Sequence, residues 1–266
     1  VARGTKIEWA TASWNPWMGC SKVSEGCLHC YAFRHHPGWV DGELRRTGPA
    51  FTNPDRWKEP ERIFVCSMSD FFHENAMPEW RQEAWEIMER NRRHVFMLLT
   101  KRPHLIRSML PETWFDEPER WNHIWLGVTV ELQKRARRVD TLLSIPAAVR
   151  FVSFEPLLGP IEVKWVVGNR DLRQTDFEFV DWVITGGESD PMSPRLDPKL
   201  TQWFRDIRDA CRDVGVPYFH KQNGGREKDA QDGAWGGRSL DGETWSQLPK
   251  AWEDKKPMTL WEEDSE

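Results

Sequence analysis

Short apolar runs that end in polar residues punctuate this chain. Ile63-Phe64-Val65-Cys66 runs into Ser67-Met68-Ser69-Asp70, and Val95-Phe96-Met97-Leu98-Leu99 into Thr100-Lys101-Arg102. Ile124-Trp125-Leu126-Gly127-Val128 leads to Thr129 and Glu131, and Phe151-Val152-Ser153-Phe154 to Glu155-Pro156. Trp182-Val183-Ile184-Thr185 leads to Gly186-Gly187-Glu188, and Tyr218-Phe219 to His220-Lys221-Gln222. Runs this short and continuously apolar, rich in β-branched and aromatic types, predict strands buried on both faces. A first strand near Ala10 to Trp14 brings the expected number to about seven.

Between the strands, Trp80, Ala84, Ile87 and Met88 recur at helical spacing within Pro78 to Arg90. Leu200, Trp203, Phe204, Ile207 and Cys211 form a second helical stripe that stops before Gly215 and Pro217. Gln133 to Leu143 reads as an exposed charged helix ending at Pro146. Strand–helix–strand alternation predicts a parallel sheet with right-handed crossovers. Seven strands are too few for a full eight-unit barrel, so the expected fold is a partial or irregular (β/α) barrel over residues 1–223. Within it, residues 162–180 are too polar for a crossover helix and read as an insertion. Residues 224–266, rich in Gly, Asp, Trp and Pro, read as a loop-rich extension packed on the barrel with a frayed acidic end.

The polar residues cluster at the C-terminal ends of the strands, the edge at which parallel α/β sheets bind ligands. A formal net charge of −5 argues against a surface that grips nucleic acid mainly by neutralising phosphates. The 37 Lys and Arg leave room for a local basic groove. No apolar run approaches the roughly 20 residues that cross a bilayer, and the N-terminus lacks a signal-like segment, so no membrane and a cytoplasmic location are expected. The 17 Trp against two Tyr suit packing or a contact surface.

Of five cysteines, Cys20, Cys27 and Cys30 fall within eleven residues, in a loop bounded by Gly19 and Gly26. Without an export signal such a group reads as a soft-metal site rather than a disulfide framework. Three thiolates can hold an iron–sulfur cluster with one iron open to a small ligand. Zinc completed by His29, His35 or His36 is the rival reading. Cys66 and Cys211, inside a strand and a helical stripe, read as packing thiols.

With six residues and then two between the cysteines, the loop resembles the radical S-adenosylmethionine motif, whose usual spacing is three and then two. The whole chain is similar to a phage- and prophage-associated family of three-cysteine proteins of uncharacterised function. The resemblance rests on Ile7-Glu8-Trp9, Trp14-Asn15-Pro16, Gly19-Cys20, Gly26-Cys27, Cys30-Tyr31 and Ser67 through His73. It continues in Leu99 through Pro103, Gly127 through Glu131, Glu155 through Pro160, Gly186 through Ser189 and Lys221-Gln222. Thr11 stands where that family usually has Asp.

The resemblance implies a [4Fe-4S] cluster on Cys20, Cys27 and Cys30, with S-adenosylmethionine as second cofactor and a separate electron donor. It places Tyr31 beside the centre and Ser67, Ser69 and Asp70 at the methionyl amino group. Lys101 or Arg102 suits the methionyl carboxylate or a substrate phosphate, and Glu131 and Ser153 suit ribose hydroxyls. Glu155, Gly186 and Gly187 complete the cofactor mouth. Glu188, His220 and Lys221 are candidates for substrate contact or proton transfer. The expected substrate is a nucleobase or nucleic acid (DNA or a nucleotide), with a co-encoded protein as a further candidate partner. Two other functions fit the same residues: a zinc-stabilised, non-catalytic binding module partnering a phage or defence protein, and a metal-free hydrolase using Glu155, Glu188 and His220.

Overall fold

The computed structural model describes residues 5–39, 41–163, 180–189 and 196–253. Its centre is one parallel sheet that curls into a half-barrel. In chain order the strands are β1 (Ala12–Trp14), β2 (Trp17–Met18), β3 (Arg45–Arg46), β4 (Arg62–Val65), β5 (Val95–Thr100), β6 (Ile124–Thr129), β7 (Arg150–Phe154), β8 (Trp182–Gly186) and β9 (Tyr218–Gln222). A last antiparallel pair is β10 (Ser239–Leu240) with β11 (Glu243–Thr244). The seven-stranded sheet runs β1-β4-β5-β6-β7-β8-β9, every pair parallel. Its strands are the seven expected from the apolar runs.

The runs are continuous because both faces are buried. Ile63, Val65, Phe96, Leu98, Leu126, Val128, Val152 and Val183 face an outer core, which they share with the helices. Their alternates Phe64, Met97, Trp125, Phe151, Trp182 and Phe219 turn inward and form a second, aromatic core. The helices are α1 (Tyr31–His35), α2 (Pro78–Arg90), α3 (Pro103–Met109), α4 (Arg138–Leu143), α5 (Leu200–Val214) and α6 (Lys250–Glu253). Helix α2 starts on Pro78, whose missing N–H is no loss in a first turn, and α5 ends at Gly215 in the left-handed conformation.

The helix expected over Gln133 to Leu143 is divided. A 3-10 turn, Gln133–Arg135, precedes α4, because Lys134 and Arg135 turn to Glu25 while Arg138 folds back onto Glu131. The C-terminal extension packs onto the barrel: Trp252 joins the inner core beside Trp9, and Leu240 joins the outer one. Most of the expected insertion and the acidic end lie outside the described residues. No helix among the described residues is long and apolar enough to cross a membrane.

Candidate functional site

Period-two alternation that sends aromatic rings inward at the base of the half-barrel places polar side chains inward at its top. On β7, Phe151 is followed two residues later by Ser153, and on β9 Phe219 is followed by Lys221. Gly127 makes room for this change of layer: a Cβ there would lie 2.4 Å from the Phe151 ring. Above the aromatic layer lies a cavity of about 300 Å³. Cys20, Cys27 and Cys30 line it together, as do Tyr31, Ser67, Ser69 and Asp70. Lys101, Ser153, Glu155, Gly187, Glu188 and Lys221 complete the set of sequence-predicted residues on its wall.

The cysteines enter this cavity because their loop is strapped over its mouth, tied to successive strand ends. Beyond β4, Ser69 Oγ donates to the Gly19 carbonyl at 2.5 Å, and the Tyr31 hydroxyl donates to the Ser67 carbonyl. Asn15 binds the same corner, accepting from Met68 N–H at 2.8 Å and donating to Ser67 Oγ at 3.0 Å. Beyond β5, Arg102 donates to Ser21. Beyond β6, the Ser24 hydroxyl donates to Glu131, whose other oxygen pairs with Arg138 at 2.6 Å. Beyond β8, Glu188 lies 3.0 Å from His29 Nδ1, between the second and third cysteines. The six residues between Cys20 and Cys27 are tied to the β5 side through Ser21 and to the β6 side through Ser24.

These ties sort the expected cofactor residues. Tyr31, Ser67, Ser69, Glu131 and Glu188 hold the loop. Asp70 is nearly saturated: it accepts from Thr100 Oγ1 at 2.8 and 2.9 Å, from Phe72 and Lys101 N–H groups, and from Arg102. Lys101, Ser153, Glu155 and Lys221 instead present their side chains to the cavity itself. Lys221 pairs with Glu155, and Lys101 has no ion-pair partner among the described residues. Among the described residues, Ser153 Oγ and the Trp9 indole N–H have no hydrogen-bond partner; both atoms are buried, and both residues belong to the cavity wall.

Three expected residues lie off the cavity wall. Glu131 is fully buried in its clamp. Gly186 packs against the Glu155 side chain, and Gly187 allows the backbone of Asn223 to approach, since a Cβ would meet its carbonyl at 2.1 Å. His220 is buried in a chain in which Thr185 Oγ1 lies 2.9 Å from Nδ1 and Asn223 Oδ1 lies 3.1 Å from Nε2. Burial lowers its pKa to about 4, so it is neutral and has a packing role. Cys211 is a packing thiol as expected. Cys66 is likewise buried in the outer core, at a left-handed backbone position (φ 60°) just after β4, and borders the cavity.

Among the described residues no three His, Cys, Asp or Glu side chains converge on one point to hold a single metal ion. The three cysteines line one cavity instead, and thiolates are donors that soft metals and iron–sulfur clusters select. His29 is engaged by Glu188, and His36 stacks on Trp39 at 4.5 Å. Burial, with Asp70 nearby, pushes the Cys20 thiol up to about 12 while Arg102 acts in the opposite sense. Metal binding at Cys20 would therefore release its proton.

Sequence reasoning underrated Arg102, Ser21 and Ser24. Arg102 was legible as a strand-end cation, but nothing in its neighbours along the chain shows that it turns to the cysteine loop. A family model described as a protein of unknown function (DUF5131) matches residues 4–249. No curated protein and no solved structure matches the chain.

Proposed function

The chain belongs to the DUF5131 family, and we propose that it is a radical S-adenosylmethionine enzyme acting on a nucleobase or nucleic acid. One observation carries the reading: three cysteines, Ser153 and a lysine with no ion-pair partner among the described residues line one cavity at the C-terminal edge of a parallel half-barrel. Cys20, Cys27 and Cys30 would hold a [4Fe-4S] cluster. When bound, the cluster and S-adenosylmethionine would supply a reductively generated 5′-deoxyadenosyl radical for hydrogen abstraction, with the electron coming from a separate donor.

The remaining work belongs to the chain. Ser153 offers a hydroxyl to ribose or a similar polar group, and Lys101 offers a cation to the methionyl carboxylate or a substrate phosphate. The Lys221–Glu155 pair stands ready at the same wall to orient the substrate. Trp9 and Phe64, with ring centroids 4.6 Å apart, provide an apolar floor against which a planar base can rest.

Anaerobic purification should yield a brown chain with about four irons and matching sulfide, and reduction with S-adenosylmethionine should release 5′-deoxyadenosine. Cys20→Ala, Cys27→Ala and Cys30→Ala should each abolish both. One tightly held zinc with no iron would overturn the reading in favour of a zinc-stabilised binding module.

A further inference from the structure

We propose that Arg102 is a positioning residue for the metal centre: its guanidinium holds the Cys20 sulfur and raises the reduction potential of the cluster bound there. This inference rests on the cluster reading above.

A guanidinium has five N–H donors in a fixed fork. Arg102 Nε donates to Glu74 Oε2 at 2.7 Å, and Nη1 donates to Asp70 Oδ2 at 3.2 Å. Nη2 donates to the Ser21 carbonyl at 3.3 Å and to Ser21 Oγ at 2.5 Å. The fifth donor, again from Nη1, points at Cys20 Sγ at 3.9 Å. A neutral thiol is a weak acceptor, whereas a metal-bound thiolate sulfur is an anionic one. The fork is thus fully satisfied only when Cys20 carries negative charge.

Placement makes the charge matter. Arg102 is 2% exposed, so its field at the sulfur is little screened by water or salt. The guanidinium is ion-paired to Asp70 at 3.2 Å and to Glu74 at 2.7 Å. Asp70 is itself locked by Thr100, so the fork has little freedom to swing away from the cysteine. Hydrogen bonds to cluster sulfurs and net charge near a cluster are established levers on its potential. A cation beside the sulfur stabilises the added electron; Asp70, buried on the wall, and Glu74, half exposed and off it, partly offset that cation.

The test is a redox titration of the reconstituted full chain, followed by the signal of the reduced cluster. Arg102→Gln should lower the one-electron equilibrium constant at least tenfold, about 59 mV. Glu74→Gln should shift the potential upward, because it unmasks the guanidinium. Arg102→Lys, which keeps the charge and loses the fork, should stay near the wild-type potential while holding less iron. An Arg102→Gln cluster within tenfold of wild type overturns the proposal. If that variant fails to fold, Glu74→Gln decides, and an unmoved or lowered potential overturns it. A wild-type chain that takes up no iron overturns the cluster reading and this proposal with it, whereas a normal cluster with unmoved potentials overturns this proposal alone.

Discussion

Gly127 sits in β6 where the Phe151 ring of the next strand crosses it, and no side chain fits between them. Gly127→Ala should cost about 1–3 kcal/mol, read as a lower urea midpoint with an unchanged slope, because the ring has to leave its place in the aromatic floor. His220 shows a second residue-scale effect. Its folded pKa, lowered by burial to about 4, lies below the ordinary value near 6.5. Between those values the unfolded chain takes a proton that the folded chain refuses. The stability is present above pH 6.5 and drains as pH falls towards 4, by about 3 kcal/mol. Urea unfolding at pH 7 and pH 4.5 should show a gap about 2–3 kcal/mol smaller in His220→Gln than in the wild type.

At the scale of elements, the cysteine loop behaves as a strap rather than a free metal-binding turn. Its middle is held by the Ser24 hydroxyl on a buried carboxylate, Glu131, that Arg138 also holds, and by Glu25 on Lys134 and Arg135 at the surface. Hydrogen bonds to charged groups contribute about 1.5–3 kcal/mol. Ser24→Ala should release the strap locally: Cys27 should alkylate faster and amides of the loop exchange faster, with little change in the global melting temperature. A large fall in melting temperature would instead place the loop within the global fold. The same interactions explain why one expected helix is divided. The exposed pattern of Gln133 to Leu143 is helical locally, but Lys134, Arg135 and Arg138 are drawn to Glu25 and Glu131, acids that lie far away along the chain or before the helix begins.

For the molecule as a whole, the half-barrel stands between two apolar layers, an outer one under the helices and an inner one of stacked aromatic rings. The inner layer draws on both ends of the described chain, Trp9 near one and Trp252 near the other, with Arg62 over the Trp252 ring at 4.8 Å. Trp252→Ala should therefore destabilise the barrel by about 3–5 kcal/mol, seen as a lower melting temperature of one cooperative transition. Two separate transitions would show instead that the extension folds apart from the barrel. This coupling between the ends was only partly legible, since the aromatic composition of the extension says that it packs, not against what.

The sequence by itself determined the number of sheet strands, the parallel class, the polar strand ends and the cluster of three cysteines. Those features follow from local composition: a strand buried on both faces is apolar throughout, and three cysteines within eleven residues lie in one loop. Only the tertiary structure decided which polar strand ends face the cavity and which hold the loop. Ser153 and Glu131 are both polar groups at the ends of neighbouring strands, yet one is an orphan on the wall and the other is fully used by Ser24 and Arg138. A hydrogen bond between residues 107 positions apart leaves no trace in the spacing of either, because the pairing is made by the curl of the sheet.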